Sequence, residues 1–193
     1  MKLVFATHNK NKIKEIVPLL PPFFELVSLD DLGCHEEILE TGKTFEENAL
    51  IKASYVKTHF GLNCFADDSG LEVLALGGAP GVYSARYAGA SKSDRQNIDK
   101  LLSEMQNITQ REAQFRTVIA LLLNNNNYFF EGIVKGSIID QPRGQGGFGY
   151  DPVFRPEGYT DSFGILPSAV KNQISHRARA VTKMLDFLKR NSQ

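Results

Sequence analysis

Residues 113–139 read Ala113-Gln114-Phe115-Arg116-Thr117-Val118-Ile119-Ala120-Leu121-Leu122-Leu123, four asparagines, then Tyr128-Phe129-Phe130-Glu131-Gly132-Ile133-Val134-Lys135-Gly136-Ser137-Ile138-Ile139. Each flank is a long β-like run. Asn124 to Asn127 suit a turn that tolerates left-handed backbone, so the pair reads as two long antiparallel strands. Upstream, Lys2 to Ala6 reads as a buried strand. Ile13, Ile16, Val17 and Leu20 then follow helical spacing, with Pro18 set to kink or shorten that helix. Thr44-Phe45-Glu46-Glu47 is a capping box ahead of a helix carrying Phe45, Ala49, Ala53, Val56 and Phe60 on one face, with Gly61 as its stop. Cys64-Phe65-Ala66 reads as a short strand running into Asp67-Asp68-Ser69-Gly70. Leu71 to Leu76 is a further apolar stretch, closed by the turn-rich Gly77 to Gly81. Ser93 or Asp94 caps a helix with Ile98, Leu101, Leu102 and Met105 aligned. Residues 140–150 form a Gly-rich loop, Asp151 to Phe154 another strand, and Ser175 caps a last helix through Val181, Met184, Leu185 and Leu188. Strands mixed with helices predict an α/β or α+β domain around a mixed sheet.

The bulk properties narrow the function. Hydrophobic residues make up 42% of 193, enough for one domain with a sizeable core. Twenty-two Lys and Arg balance twenty-two Asp and Glu, which argues against a protein that coats nucleic acid with a broad positive surface. A small anionic ligand needs only a few basic residues in one place. Cys34 and Cys64 are too few for a disulfide scaffold and lack zinc spacing. No signal peptide is expected from the opening run, and no segment approaches the ~20 apolar residues of a membrane helix. The expectation is a cytoplasmic protein without a membrane partner.

Five stretches could carry chemistry. Thr7-His8-Asn9-Lys10-Asn11-Lys12 joins a strand to a helix start, where a hydroxyl, amides and lysines suit phosphate. It is equally readable as a solvated helix end. Asp67-Asp68-Ser69-Gly70 offers paired carboxylates for Mg²⁺ and for orienting a water, or else a turn that caps its own backbone. Glu40-Thr41-Gly42 could add a metal oxygen. Gly144-Gln145-Gly146-Gly147-Phe148-Gly149-Tyr150-Asp151 matches G-x-G-x-x-G in letters but leads into a strand, so a dinucleotide fingerprint is rejected. It reads as a close backbone approach to a planar ring, beside aromatic faces, or as a tight loop with core aromatics. Ser175-His176-Arg177, with Arg179 and Lys171, places cations at a helix amino terminus, against the dipole, which suggests a compensating anionic or carbonyl-rich ligand.

Taken in order, these blocks resemble the inosine triphosphate pyrophosphatase family, house-cleaning enzymes for deaminated purine nucleotides. The matching residues are Thr7-x-Asn9-x-x-Lys12-x-x-Glu15, Glu40-Thr41-Gly42, and Phe45-x-Glu47-Asn48-Ala49 with Lys52-Ala53. Ala66-Asp67-Asp68-Ser69-Gly70-Leu71, Gly78 through Tyr87, Gly147-Phe148-Gly149-Tyr150-Asp151-Pro152 and Ser175-His176-Arg177-Ala178 complete the set. They span nearly the whole chain. The resemblance implies a single elongated, two-lobed α/β domain around a long, twisted, mixed sheet flanked by helices, with the nucleotide in a cleft between lobes, and a homodimer. It implies that Thr7, His8, Asn9, Lys10, Asn11 and Lys12 hold phosphates, Lys12 with help from Lys52 or Lys171, and that Asp68 is catalytic beside Mg²⁺. Glu40 and Asp67 would assist the metal and Ser69 would touch substrate. Phe148, Gly149, Tyr150 and Asp151, with Lys171, His176 and Arg177, would hold base and phosphates. One stretch departs: family members commonly show Phe/Ala-Ala-Glu-Leu where this chain has Phe163-Gly164-Ile165-Leu166, and Val170 replaces a frequent acidic neighbour of Lys171.

The implied reaction is attack of water on the α-phosphorus of inosine, deoxyinosine or xanthosine triphosphate, releasing pyrophosphate. Arg177 or a backbone N–H is the expected donor to the purine O6. The rival readings are a pyrophosphatase for modified pyrimidine or methylated nucleotides, a nucleotide-binding module without turnover, and, last, a nuclease.

Overall fold

Strand β1 (Lys2–Phe5) shows how the sheet is buried on both faces. Side chains alternate across a strand. Val4, with Ala6 just beyond the strand, packs among Ala49, Ala53 and Val56, while Leu3 and Phe5 pack among Ala180, Val181 and Met184. Phe5 also stacks on Phe65 at 4.6 Å. Helices α2 (Phe45–Phe60) and α5 (His176–Asn191) therefore cover opposite faces of this part of the sheet. The computed structural model describes residues 1–22, 24–124 and 126–191.

Six strands form one sheet in the order β2 (Glu25–Ser28), β1, β3 (Cys64–Val73), β4 (Glu112–Leu123), β5 (Asn126–Ile138) and β6 (Phe154–Pro156). Strand β1 pairs in parallel with β2 and β3, and β5 pairs antiparallel with β6, so the sheet is mixed. The expected long pair appears as the neighbours β4 and β5. Asn124 takes a left-handed φ of 56° at the turn; Asn125, part of that expected turn, lies outside the described residues. The remaining helices are α1 (Lys10–Ile16), α3 (Asp94–Glu104) and α4 (Ser168–Ile174). Pro18 ends α1 by starting a 3₁₀ turn, Val17–Leu19. Among the described residues, no helix is long and apolar enough to cross a membrane.

The chain divides into two compact units. The first is Met1–Asp68, Thr117–Gly132 and Arg177–Gln193; the second is Ser69–Arg116 and Ile133–His176. The first contains the two cores flanking β1. The second has its own core, in which Leu71 and Val73 meet Ile98, Leu101 and Met105 of α3 and the aromatic group Phe115, Phe154 and Phe163.

Two local expectations are corrected. Asp67 to Gly70 are not a turn: β3 runs unbroken from Cys64 to Val73 with a neighbour on each side, so both carboxylates sit mid-strand, buried. Asp151–Val153 is a 3₁₀ turn begun by Pro152 at its second position, and the strand starts only at Phe154. Leu74–Leu76 is likewise a 3₁₀ turn. Strand β2 and helix α4 are too short for their periodicity to stand out in the sequence.

Helix α2 forms as the sequence predicts. Thr44 accepts from Glu47 N–H, the Glu47 carboxylate accepts from the Thr44 N–H, and Gly61 closes the helix with φ 69°. Asn48 and Lys52 lie one turn apart and are both buried. Because the cap satisfies otherwise orphaned donors, Thr44→Ala should cost about 1 kcal/mol of unfolding free energy, read as a shifted urea midpoint at constant slope. A cost near zero would mean that the cap contributes nothing here.

Candidate functional site

In the first unit, β3 delivers Asp67 and Asp68 side by side, and side chains from three helices converge on them. From α1, the Lys12 ammonium donates to Asp67 Oδ1 at 2.9 Å and to the Asp67 carbonyl at 3.2 Å. From α5, Arg177 Nε donates to Asp67 Oδ2 at 3.1 Å and its Nη1 donates to Glu15. From α2, Asn48 Nδ2 donates to Asp68 Oδ2 at 3.1 Å. Lys52 Nζ lies 3.7 Å from Asp68 Oδ1 and donates to Glu40. Glu40 is held near α2 because the Gly42 N–H donates to Asn48 Oδ1 at 2.8 Å. A Cβ at Gly42 would come within 2.6 Å of the Glu47 Cβ, so a larger residue would push this loop away.

Adjacent carboxylates end up with opposite proton affinities. At Asp67, burial opposes ionisation, but Lys12, Arg177 and Lys52 outweigh it and hold the carboxyl far below its ordinary range. At Asp68, burial wins over Lys52 and Lys12, with Glu40 adding to the effect, and the carboxyl is pushed up. Burial lowers Lys12, only partly offset by Asp67. It acts on Lys52 too, but there Asp68, Glu40 and Asp67 overcome it and raise the ammonium. Titratable neighbours driven apart in this way are how sites assign one group to hold charge and another to handle a proton. Stability alone is a poor reason for such a cluster, since buried ion pairs barely offset their desolvation.

Cation binding can be tested against these side chains. Among the described residues, no three His, Cys, Asp or Glu converge on a single point. Mg²⁺ does not require that: one or two carboxylates shared with substrate phosphates suffice. Asp68 and Glu40 fit as such a pair, because the Lys52 ammonium already sits against both as a cation would. Asp67 faces the other way, toward Lys12 and Arg177.

The other members of the first stretch are placed differently. Asn9 caps α1, its side chain accepting from the Asn11 and Lys12 N–H groups at 2.9 and 3.3 Å. Those two donors are therefore turned inward to the cap. Thr7 Oγ1 accepts from the Asn9 N–H at 3.1 Å, and His8 Nε2 lies 2.9 Å from the Glu36 carbonyl. Lys10 and Asn11 are exposed.

In the second unit, the Gly147–Asp151 stretch forms around the buried Asp151 carboxylate. It accepts from the Phe148 N–H at 2.8 Å and from Lys171 Nζ at 2.5 Å. Gly147 has φ 73°, and a Cβ there would lie 1.9 Å from Asp151 Oδ2, so only glycine fits. The Gly149 N–H donates to Asp94 at 2.7 Å, and the Tyr150 hydroxyl donates to the Ser84 carbonyl at 2.9 Å. Lys171 lies 5.0 Å from the Phe148 ring centroid. His176 is buried and stacks on Phe115 at 4.7 Å. Ile165 is exposed, so the departure from Phe/Ala-Ala-Glu-Leu leaves no buried acid to replace, and the carboxylate paired with Lys171 is Asp151. Ser69 follows Asp68 in β3, partly buried.

Two residues quoted among the matching blocks, Glu15 and Asn48, were given no site role by the sequence reading. Each had a signal: Glu15 lies three residues after Lys12 on α1 and Asn48 four before Lys52 on α2, both same-face spacings. The dipole argument for Arg177 found a cluster, but the compensating anions are the protein's own Asp67 and Glu15.

Comparison with known proteins shows the family. The family model described as Ham1 family matches residues 3–187. The dITP/XTP pyrophosphatase of Christiangramia forsetii is 53% identical over 188 residues, covering 97% of this chain and 99% of that protein. The dITP/XTP pyrophosphatase of Flavobacterium psychrophilum is 52% identical, covering 98% and 100%. The solved structure of the Staphylococcus aureus Ham1 protein matches with a TM-score of 0.90 at 40% identity, covering 98% of both chains. The chain belongs to the Ham1 family.

Proposed function

We propose that this protein hydrolyses deaminated purine nucleoside triphosphates, those of inosine, deoxyinosine and xanthosine, to the monophosphate and pyrophosphate. The names of its relatives support the chemistry. The observation that carries it to particular residues is the group formed by buried Lys52, Asp67 and Asp68 with the partly buried Lys12 on neighbouring elements. The same reading includes a homodimer in the cytoplasm, in keeping with the resemblance of the motifs.

Lys12 and Lys52 bind phosphate oxygens and draw charge from the leaving pyrophosphate. Asp68, whose proton affinity is raised by burial, accepts a hydrogen bond from a water and aims its oxygen at the α-phosphorus. The water oxygen–phosphorus bond forms as the α–β phosphoanhydride bond breaks. Asp68 and Glu40 would hold Mg²⁺, which when bound supplies neutralisation of charge on the triphosphate oxygens. Phe148 offers a ring face to the purine, and Lys171 is fixed beside it by Asp151. A donor to O6 explains preference by base: inosine and xanthosine accept there, whereas adenosine presents an amino group and leaves the donor unpaired. Such a mismatch discriminates by roughly 10⁴ when buried. Arg177 or a backbone N–H fills that role.

Incubation with inosine, xanthosine, guanosine, adenosine and modified pyrimidine triphosphates, with and without chelator, tests this. The expected result is pyrophosphate from the first two, and its loss with chelator. Preference for a modified pyrimidine, or release of orthophosphate, would overturn the proposal, and tight binding without product would make the protein a binding module.

A further inference from the structure

Asn48 has no exposed surface, and both ends of its side-chain amide meet other elements. Its Oδ1 accepts from the Gly42 N–H at 2.8 Å, and its Nδ2 donates to Asp68 Oδ2 at 3.1 Å. A backbone N–H can only donate, so it fixes which end of the amide faces the loop and which faces the carboxylate. One turn further along α2, Lys52 repeats the arrangement, donating to Glu40 and facing Asp68 Oδ1 at 3.7 Å. Two side chains at i and i+4 on one helix face thus each reach loop 40–42 with one contact and Asp68 with another. Resting on the reading of Asp68 and Glu40 as the carboxylates that hold Mg²⁺, we propose that Asn48 is a positioning residue: it ties loop 40–42 to Asp68 and so keeps the two carboxylates spaced for the cation.

The two ties differ in what they can give up. Lys52 is a cation on a flexible stem. In the proposed reaction it turns to phosphate oxygens, and its place against the two carboxylates passes to Mg²⁺. Asn48 is neutral and buried, so it neither competes with a cation for charge nor turns to phosphate. Its tie persists when cation and triphosphate arrive. It also sets the carboxylate's orientation: Oδ2 accepts from the amide, which turns Oδ1 toward Lys52. The two arms of the amide have separable consequences. Losing the loop arm lets Glu40 drift and weakens cation binding, with Asp68 still held. Losing both arms also loosens Asp68 and slows the chemical step. An asparagine kept for packing alone predicts neither.

Gly42→Ala and Asn48→Leu test the two arms. A Cβ at Gly42 would lie 2.7 Å from Asn48 Oδ1, so alanine pushes the loop off the amide while Asn48 can still donate to Asp68. Leucine has the branched shape of asparagine without its donor or acceptor, so both arms go and no cavity opens. Rates are taken per folded protein, from a urea transition. Gly42→Ala should raise the half-saturating Mg²⁺ for inosine triphosphate hydrolysis by about 10- to 100-fold, with kcat at saturating Mg²⁺ within about threefold. Asn48→Leu should raise it as far and also lower kcat by about 10- to 100-fold. An unchanged Mg²⁺ requirement in Gly42→Ala, or an unchanged kcat in folded Asn48→Leu, would overturn the assignment. If Asn48→Leu does not fold, Gly42→Ala decides. A second readout is independent of turnover: Mn²⁺, which takes the same oxygen ligands, is titrated alone against each protein by electron paramagnetic resonance. Its Kd should be about tenfold weaker or more in both variants. Equal affinity in all three proteins, or no Mn²⁺ bound by the unaltered one, would refute the spacing role. Weakened Mn²⁺ binding in the variants, with no product from inosine triphosphate in any of them, would refute only the substrate reading.

Discussion

Asp68→Asn should reduce kcat for pyrophosphate release from inosine triphosphate by about 10³-fold or more, with little change in folding stability. Asparagine has nearly the shape of aspartate, and its carbonyl oxygen can still accept from Asn48 Nδ2. What changes is the other oxygen, which faces Lys52 at 3.7 Å. There the variant presents an amide N–H₂, which cannot accept a hydrogen bond from water and cannot help Glu40 to hold a cation. Chemistry is lost while packing is kept. Steady-state rates together with a urea transition measure both halves of the expectation. An active variant would remove Asp68 from the reaction, and an unfolded one would make its role structural.

Asp67→Ala should behave in the opposite way, with stability the larger casualty. Asp67 has no exposed surface, and its carboxylate neutralises Lys12 and Arg177 in a place where water cannot. Removing one partner of a buried pair leaves an uncompensated charge, which costs about 3–5 kcal/mol. The loss should appear as a shift of the urea midpoint larger than that of Thr44→Ala, and activity should fall with it because Lys12 has no anchor. A cost below about 1 kcal/mol would mean that the cations find water or other anions, and the buried network would not be what joins α1, β3 and α5 here.

The two variants also show why part of this site was legible in the sequence and part was not. The elements that carry it are written in local signals: the capping box at Thr44 and Glu47, the left-handed Gly61, and the spacing of Val181, Met184, Leu185 and Leu188. The residue types were legible too, since Asp67-Asp68 beside lysine-bearing helices could already be read as phosphate and metal chemistry. Partnership was not legible. Alternation in β3 sends Asp67 and Asp68 to opposite faces, but reading these four residues as a turn hid it. Once they lie in a strand, one carboxylate faces α1 and α5 with Lys12 and Arg177, and the other faces α2 with Asn48 and Lys52. Arg177 was marked by its unfavourable position against the helix dipole, and the physics was sound. Yet the compensating charge lies 162 residues earlier in the chain, at Glu15, a distance no local pattern spans. Asp151 was grouped with the residues expected to hold the base, but the partners its carboxylate shows are the Phe148 N–H and Lys171.

The central claim is that Asp68 and its lysine neighbours direct water to one phosphorus atom. Hydrolysis of inosine triphosphate in ¹⁸O-labelled water, with both products resolved by mass spectrometry, tests it most directly. The label should enter inosine monophosphate and be absent from pyrophosphate. Label in the pyrophosphate would place the attack on the β-phosphorus and contradict the account.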